Sequence, residues 1–285
     1  MTPKDFAYRR AGSVAQALEM LNEAGPGARL IAGGHSLLPL MKLRLATPDT
    51  LIDIGSIASL QGIRVEGGAI IVGALTTHEQ LAASAEVREL LPALAEAAGQ
   101  IGDPQVRSVG TVGGNLAHAD PASDLPAVAL VYDAEIRFAG PAGTSSLPAA
   151  EFFLGPLMTA LPEAAVLTEI VFSLPPEGSR GVYRKVAHPA SGYAVVGVAA
   201  VVARGGDGTV SHIRIAVTGA GAAPYRAEQA ERRLLGTAAA EEAMCAAAGD
   251  AASEASITGD IYASEEYRRH LVSITVARTL AAVLG

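Results

Sequence analysis

Two short glycine-rich motifs hold the residues of this chain that are best suited to chemistry. The first is Ala-Gly-Gly-His-Ser at residues 32–36, and the second is Thr-Val-Gly-Gly-Asn at residues 111–115. In each, adjacent glycines stand near a hydroxyl residue, so the backbone can turn sharply and bring bare N–H groups close to a ligand. Such donors hold an anion without a formal positive charge. We expect the main-chain amides of both motifs to hold one diphosphate between them.

Other chemistries fit the sequence less well. A single Gly-Gly pair is most often an ordinary turn, so the prediction depends on there being two. A dinucleotide fingerprint at residues 219–224 fails because Pro224 takes the third glycine position, and a hydrolase nucleophile at Ser36 fails because Leu38 replaces the last glycine. His118 and Asp120 have metal-ligand spacing, but that pair is more typical of a polar loop. We predict no metal site and no catalytic side chain.

Composition excludes several classes of partner and site. The 285 residues carry 29 acidic and 21 basic side chains, a net charge of −8, so we expect no nucleic-acid binding. The sequence shows no signal peptide and no apolar run of membrane-spanning length, which predicts a cytoplasmic protein. Any membrane association would be peripheral, through an electron acceptor. Cys245 is the sole cysteine, so the chain cannot form an internal disulfide or hold a cysteine-ligated iron–sulfur cluster.

Strands and helices alternate through the first 174 residues. Ser13 and Gly25 are expected to bound the first helix, and the strand at 28–31 leads into the first glycine motif. Residues 101–110, just ahead of the second glycine motif, are dense in turn formers, which suggests a precise backbone path. The predicted strands are 28–31, 50–54, 62–66, 69–74, 135–138 and 166–174, and the later predicted helices are 37–44, 78–83, 87–100 with a break at Pro92, and one that ends at Leu130.

A change in composition at residues 174–178 (Leu-Pro-Pro-Glu-Gly) predicts a connector between domains. Beyond it, three strands at 181–186, 193–204 and 210–218 are expected to form an antiparallel sheet, with a hairpin turn at 205–208. Helices are predicted at 226–235, 241–252 and 265–284. The fold class predicted from this order is α+β.

The two glycine motifs, together with Asp-Pro-Gln-Val-Arg at 103–107 and Asp-Pro-Ala-Ser-Asp-Leu-Pro at 120–126, resemble the FAD-binding medium subunit of the molybdenum hydroxylases. This is the family of xanthine dehydrogenase and carbon monoxide dehydrogenase, and the resemblance spans essentially the whole chain. It implies a two-lobed FAD-binding domain of the vanillyl-alcohol-oxidase (PCMH) type over residues 1–176, with lobes of about 1–57 and 58–176. An antiparallel sheet with helices would follow at 177–285, as a C-terminal domain of the carbon monoxide dehydrogenase flavoprotein type.

The resemblance also implies which residues bind FAD. The glycine motifs would hold the diphosphate, Asp124 would contact the ribose or the adenine side, and Lys185 and Tyr193 would border the isoalloxazine. The turn at 188–192 is less basic than in several members of the family. The positions assigned to FAD are Ala32, Gly33, Gly34, His35, Ser36, Leu37, Thr76, Thr77, Ile101, Gly110, Thr111, Gly113, Gly114, Asn115, Asp124, Lys185 and Tyr193.

By the same resemblance, substrate is oxidised on another chain. A large subunit would carry molybdopterin, and a small subunit with two two-iron two-sulfur clusters would deliver electrons singly to FAD. An external acceptor, such as a quinone, NAD or oxygen, would then receive them. We expect a heterotrimer that dimerises. Two alternatives stay open: a self-contained FAD-dependent oxidase of the vanillyl-alcohol-oxidase type, and a non-catalytic nucleotide-binding or assembly protein.

Overall fold

A small parallel sheet opens the chain. In the computed structural model, which describes residues 2–285, three strands pair in the order β1-β3-β2. Ser13 caps the first helix by accepting a hydrogen bond from the Gln16 amide (3.1 Å), and Gly25 ends it at a φ of 68°, as predicted. The elements are β1 (Ala7–Arg10), α1 (Val14–Ala24), β2 (Ala28–Ile31), α2 (Leu37–Lys42) and β3 (Thr50–Asp53).

A five-stranded antiparallel sheet follows, in the order β4-β5-β10-β6-β7, with short helices packed against it. All seven residues of α8 are buried, because its apolar run is covered on every side. The elements are β4 (Ile63–Glu66), β5 (Ala69–Gly73), α3 (His78–Ala83), α4 (Ala85–Leu90), α5 (Pro92–Gly99), α6 (Pro104–Val109), α7 (Val112–His118), α8 (Leu125–Val131), β6 (Glu135–Gly140), β7 (Gly143–Pro148), α9 (Ala149–Phe152), β8 (Phe153–Gly155), β9 (Met158–Thr159) and β10 (Val166–Ser173).

The third sheet is antiparallel, in the order β11-β12-β13-β14, with helices packed on it. Gly208, at a φ of 82°, closes the predicted hairpin between β12 and β13. The elements are β11 (Arg180–Ala187), β12 (Ala194–Arg204), β13 (Val210–Thr218), β14 (Tyr225–Arg226), α10 (Glu228–Leu234), α11 (Glu241–Ser253) and α12 (Glu265–Leu284). The predicted α+β class is confirmed. Among the helices of residues 2–285, none has the length and apolar character needed to cross a bilayer.

Two segments differ from the sequence prediction. Residues 104–109, for which no helix is predicted, form α6, because Asp103 caps the Val106 amide (2.9 Å) and Pro104 is pre-set for a first helical turn. Residues 111–115 are the start of α7, with Thr111 as its N-cap, instead of a loop. The glycine pair there is helical.

Main-chain and hydroxyl contacts join the third sheet to the segment between α7 and α8. The Thr218 hydroxyl lies 2.7 Å from the Ser123 carbonyl oxygen, and the Gly219 amide donates to the Pro121 carbonyl (2.8 Å). The Ala194 amide, at the start of β12, donates to Ala122 (3.2 Å). These contacts fix residues 121–124 against the ends of β12 and β13.

Candidate functional site

A cleft of about 910 Å³ contains most of the predicted site residues. Its wall combines the turn after β2, the start of α7, the segment between α5 and α6, and the turn before β12. The structure brings together fourteen of the predicted positions: Ala32, Gly33, Gly34, His35, Ser36, Leu37, Ile101, Gly110, Thr111, Gly113, Gly114, Asn115, Asp124 and Tyr193. Thr76, Thr77 and Lys185 do not line this wall.

The first glycine motif is a turn with unused donors. Gly34 has a φ of 72°, a conformation that side chains other than glycine rarely adopt. Across residues 2–285, the five consecutive amides from Gly33 to Leu37 have no hydrogen-bond acceptor, and the helical pattern begins only at Leu38, whose amide donates to the Gly34 carbonyl (2.9 Å). Successive unpaired amides of this kind form an anion-binding concavity.

The second glycine motif has a different construction. The amides of Val112, Gly113 and Gly114 donate to the Thr76 carbonyl (3.0 Å), the Ala74 carbonyl (2.8 Å) and the Thr111 hydroxyl (3.2 Å). The expectation that both motifs offer free amides is therefore wrong for these three positions. Of the motif's amides, only that of Thr111 lacks an acceptor within the described chain.

Close packing explains the glycines of the second motif. A Cβ on Gly113 would lie 2.6 Å from the Cβ of Ala74, so only glycine lets α7 approach β5 this closely. The Asn115 side chain still faces a polar neighbour, since its Oδ1 accepts a hydrogen bond from the Ser123 hydroxyl (2.6 Å). The second motif therefore contributes side chains and one free amide, that of Thr111, to the cleft, and its glycines allow the close packing that shapes the wall.

Asp124 belongs to a buried cluster at the cleft wall. It is 4% exposed, and its two oxygens accept from the Tyr183 hydroxyl and from Lys185 Nζ, the latter at 3.0 Å. Burial raises the pKa of Asp124 against the opposing effects of Lys185 and Tyr183. The ion pair joins α8 to strand β11 of the third sheet.

Lys185 has all three of its ammonium protons engaged. Besides Asp124, they reach the Gln100 carbonyl oxygen (2.7 Å) and the Gly192 carbonyl oxygen (2.9 Å). Gly192 precedes Tyr193, a cleft residue that is 44% exposed. Lys185 thus holds the turn that carries Tyr193, and its ammonium group has no proton left for a ligand in this arrangement.

Thr76 and Thr77 have structural roles behind the wall. The buried Thr76 hydroxyl donates to the Gly62 carbonyl (3.0 Å), and the Thr77 hydroxyl caps α3 by accepting from the Gln80 amide (3.2 Å). Both hydroxyls are already occupied by these bonds.

Sequence reasoning missed His78, which it treated only as the first residue of a helix. His78 lines the cleft, is 3% exposed, and has a buried Nδ1 atom without a hydrogen-bond partner. Burial, with smaller electrostatic contributions from the neighbouring His35 and Arg107 side chains, lowers the pKa of His78 from 6.5 to about 4, so the ring is neutral at pH 7. No local pattern marks this residue, because its burial results from packing against Gly110.

Comparisons with known proteins agree with this geometry. Residues 4–175 match the family described as the FAD binding domain in molybdopterin dehydrogenase, and residues 181–283 match the CO dehydrogenase flavoprotein C-terminal domain. The chain is 42% identical to the carbon monoxide dehydrogenase medium chain of Hydrogenophaga pseudoflava, over 99% of this chain and 98% of the relative. It is 29% identical to the xanthine dehydrogenase FAD-binding subunit of Escherichia coli O157:H7, over 99% and 97%.

Solved structures show the same fold along the whole chain. Carbon monoxide dehydrogenase from Hydrogenophaga pseudoflava superposes with a TM-score of 0.96 at 43% identity, covering 99% of this chain and 98% of that one. Quinoline 2-oxidoreductase from Pseudomonas putida 86 gives a TM-score of 0.94 at 30% identity, covering 100% and 98%. The chain therefore belongs to the FAD-binding medium subunits of the molybdenum hydroxylases, as its glycine motifs indicated.

Proposed function

We propose that the amides of residues 33–37 bind the diphosphate of FAD. The observation that supports this most strongly is the run of five amides without an acceptor on the wall of a cleft of about 910 Å³. A diphosphate offers enough oxygens to accept from several of these donors, and no formal positive charge is required. The Ser36 hydroxyl, the Thr111 amide and the Asn115 side chain complete the proposed donor set.

The remaining cleft residues suit the other parts of the cofactor. We propose that Tyr193 and the leucines at 157, 161 and 167, which line the same cleft, contact the flavin ring. Burial raises the pKa of the Tyr193 hydroxyl, and Asp120 and Asp124 add to that effect, so the phenol stays protonated as a donor. Asp124 has lone pairs beyond those used by Tyr183 and Lys185, which would accept a ribose hydroxyl.

In this proposal the chain transfers electrons and does not bind the substrate of the complex. Bound FAD supplies one- and two-electron redox chemistry, and the chain's residues position it and exclude water. Electrons would come from a small iron–sulfur subunit, with substrate oxidised at molybdopterin on a large subunit, and would leave to a quinone, NAD or oxygen. One relative is named as a subunit of a 6-hydroxypseudooxynicotine dehydrogenase complex. We propose a dimer of heterotrimers of this kind.

To test this proposal, the complex is purified from cells that express this chain together with the proteins encoded by the neighbouring reading frames. We expect stoichiometric FAD, molybdenum and cluster iron by cofactor and metal analysis. Flavin without molybdenum or iron would contradict the assignment of partners. Bleaching of the isolated chain's flavin by small alcohols under anaerobic conditions would favour a self-contained oxidase instead.

A further inference from the structure

His78 is held in the cleft wall from two sides. Its amide donates to the Gly110 carbonyl (3.0 Å), and the preceding Thr77 forms a capping box with Gln80. The ring packs against Gly110, where a Cβ would lie 2.9 Å from Cδ2 and 3.1 Å from Nε2. Gly110 in turn lies against Gly33, the first residue of the unpaired amide run.

The two ring nitrogens of His78 are not equivalent. Nδ1 is completely buried and has no hydrogen-bond partner. Nε2, which lies beside Gly110, is not among the completely buried, unpartnered atoms of the described residues. A buried N–H donor without an acceptor is rarer and more costly than a buried unpaired acceptor. The neutral tautomer with its proton on Nε2 is therefore favoured, since it leaves only a lone pair on the sealed Nδ1.

Two cations near the cleft, Arg107 and Lys185, already bind other partners. Arg107 Nε lies 3.3 Å from Glu79, and its Nη1 donates to the carbonyls of Ile101 and Gly102 (both 3.2 Å). Lys185 is fully occupied by Asp124, Gln100 and Gly192. A neutral imidazole N–H beside the amide run would add a hydrogen-bond donor that needs no formal charge.

We propose that His78 is a further ligand-binding residue, whose Nε2–H donates a hydrogen bond to a phosphate oxygen of FAD. This inference rests on the proposed function of the cleft and extends its donor set from the main chain to a buried neutral side chain. In this contact an uncharged imidazole N–H recognises an anionic oxygen of the ligand.

The test uses the full chain assembled in its complex, stripped of flavin and then titrated with FAD. His78→Leu removes the donor and should weaken FAD binding by about 10- to 100-fold, the range for one hydrogen bond to a charged acceptor. His78→Gln keeps a side-chain N–H and should bind within about 3-fold of wild type. His212→Leu, on β13 and away from the cleft lining, should change nothing. ADP, used as a competitor, should lose affinity for His78→Leu by the same factor as FAD.

A second measurement does not depend on the folding of a variant. Infrared difference spectra of the wild-type complex, with ¹⁵N-histidine in this chain, should show a neutral Nε2-protonated imidazole that changes on FAD binding. Equal FAD affinity in His78→Leu, or unchanged histidine bands, would overturn the assignment of His78. If His78→Leu binds FAD more weakly but binds ADP as tightly as wild type does, His78 contacts the flavin part of the cofactor instead of the diphosphate. That result would also overturn the assignment. If the stripped wild-type complex takes up no FAD, the proposed function itself fails.

Discussion

Gly33 packs directly against Gly110: a Cβ on Gly33 would lie 2.9 Å from the Cα of Gly110 and would collide with the carbonyl oxygen of Val109. This contact places the two glycine motifs, far apart in sequence, side by side on one cleft. The turn after β2 and the α6–α7 junction therefore shape the proposed diphosphate site together, although they contribute different groups to it.

Gly33→Ala should displace the first motif from Gly110. The added methyl group meets backbone on the facing segment, which cannot move aside like a flexible side chain, so we expect a loss of about 1–3 kcal/mol in the free energy of unfolding. FAD content after purification should fall in parallel. Gly206→Ala is the matched control, because its Cβ would meet nothing within 4 Å. Full FAD content in Gly33→Ala would show that this contact does not shape the site.

Gly34→Val tests the positive φ of the amide run. Gly34 has a φ of 72° and Gly68, in the β4–β5 turn, a φ of 77°, so valine strains both positions by about 1–3 kcal/mol. Unfolding in denaturant should show both variants destabilised, and Gly34→Val more so, because a Cβ there would also lie 3.0 Å from Leu38 Cδ1. Only Gly34→Val should lose FAD, as measured by flavin absorbance per chain. Equal FAD retention in both variants would count against binding at residues 33–37.

Lys185→Met should leave the Asp124 carboxylate buried without its cation. Both side chains are about 95% buried, and removal of one member of such a pair costs about 3–5 kcal/mol. The pKa of Asp124, already raised by burial, should rise further. A group whose pKa is raised on folding favours the folded state at low pH, so the variant should recover stability as the pH is lowered from 7.

Denaturant unfolding across pH measures this effect. The double variant Asp124→Asn with Lys185→Met is the control: it should be more stable than Lys185→Met at pH 7 and should lack its pH dependence. If the two variants are equally unstable at every pH, the ion pair is not what stabilises this junction.

His78 should make stability depend on pH in the opposite direction. Its pKa falls from 6.5 to about 4 on folding, so the unfolded chain takes up a proton first as the pH drops. Stability contributed by the neutral ring is present above pH 6.5 and is lost between pH 6.5 and 4, by up to about 3 kcal/mol. His78→Gln should lack this part of the acid dependence in the flavin-free protein. An unchanged pH profile would contradict the neutral, buried state of the ring.

The sequence was most informative where structure is local. Helix α12 runs from Glu265 to Leu284 as predicted, because Ser264 caps it and the acidic Glu265 and Glu266 stand in its first turn, where negative charge stabilises a helix. The α7 start was misjudged because Thr111 and two glycines are typical both of a phosphate loop and of a tightly packed capped helix. Only the facing residue, Ala74, distinguishes these, and it comes from another part of the chain.

Site residues that depend on tertiary partners were the hardest to predict. Lys185 is a strand lysine in the sequence, and its engagement by Asp124, Gln100 and Gly192 appears only when the third sheet packs on α5 and α8. His78 is similar, since its burial follows from the approach of Gly110. Motif reasoning located the first amide run because its turn, its glycines and its hydroxyl are contiguous.

The most direct test is an experimental structure of the complex with FAD bound. We predict diphosphate oxygens within about 2.7–3.2 Å of the amide nitrogens of residues 33–37, with the amides of Val112 and Gly113 still bonded to the carbonyls of Thr76 and Ala74. A diphosphate bound to the α7 amides instead, or placed away from the turn after β2, would contradict this prediction.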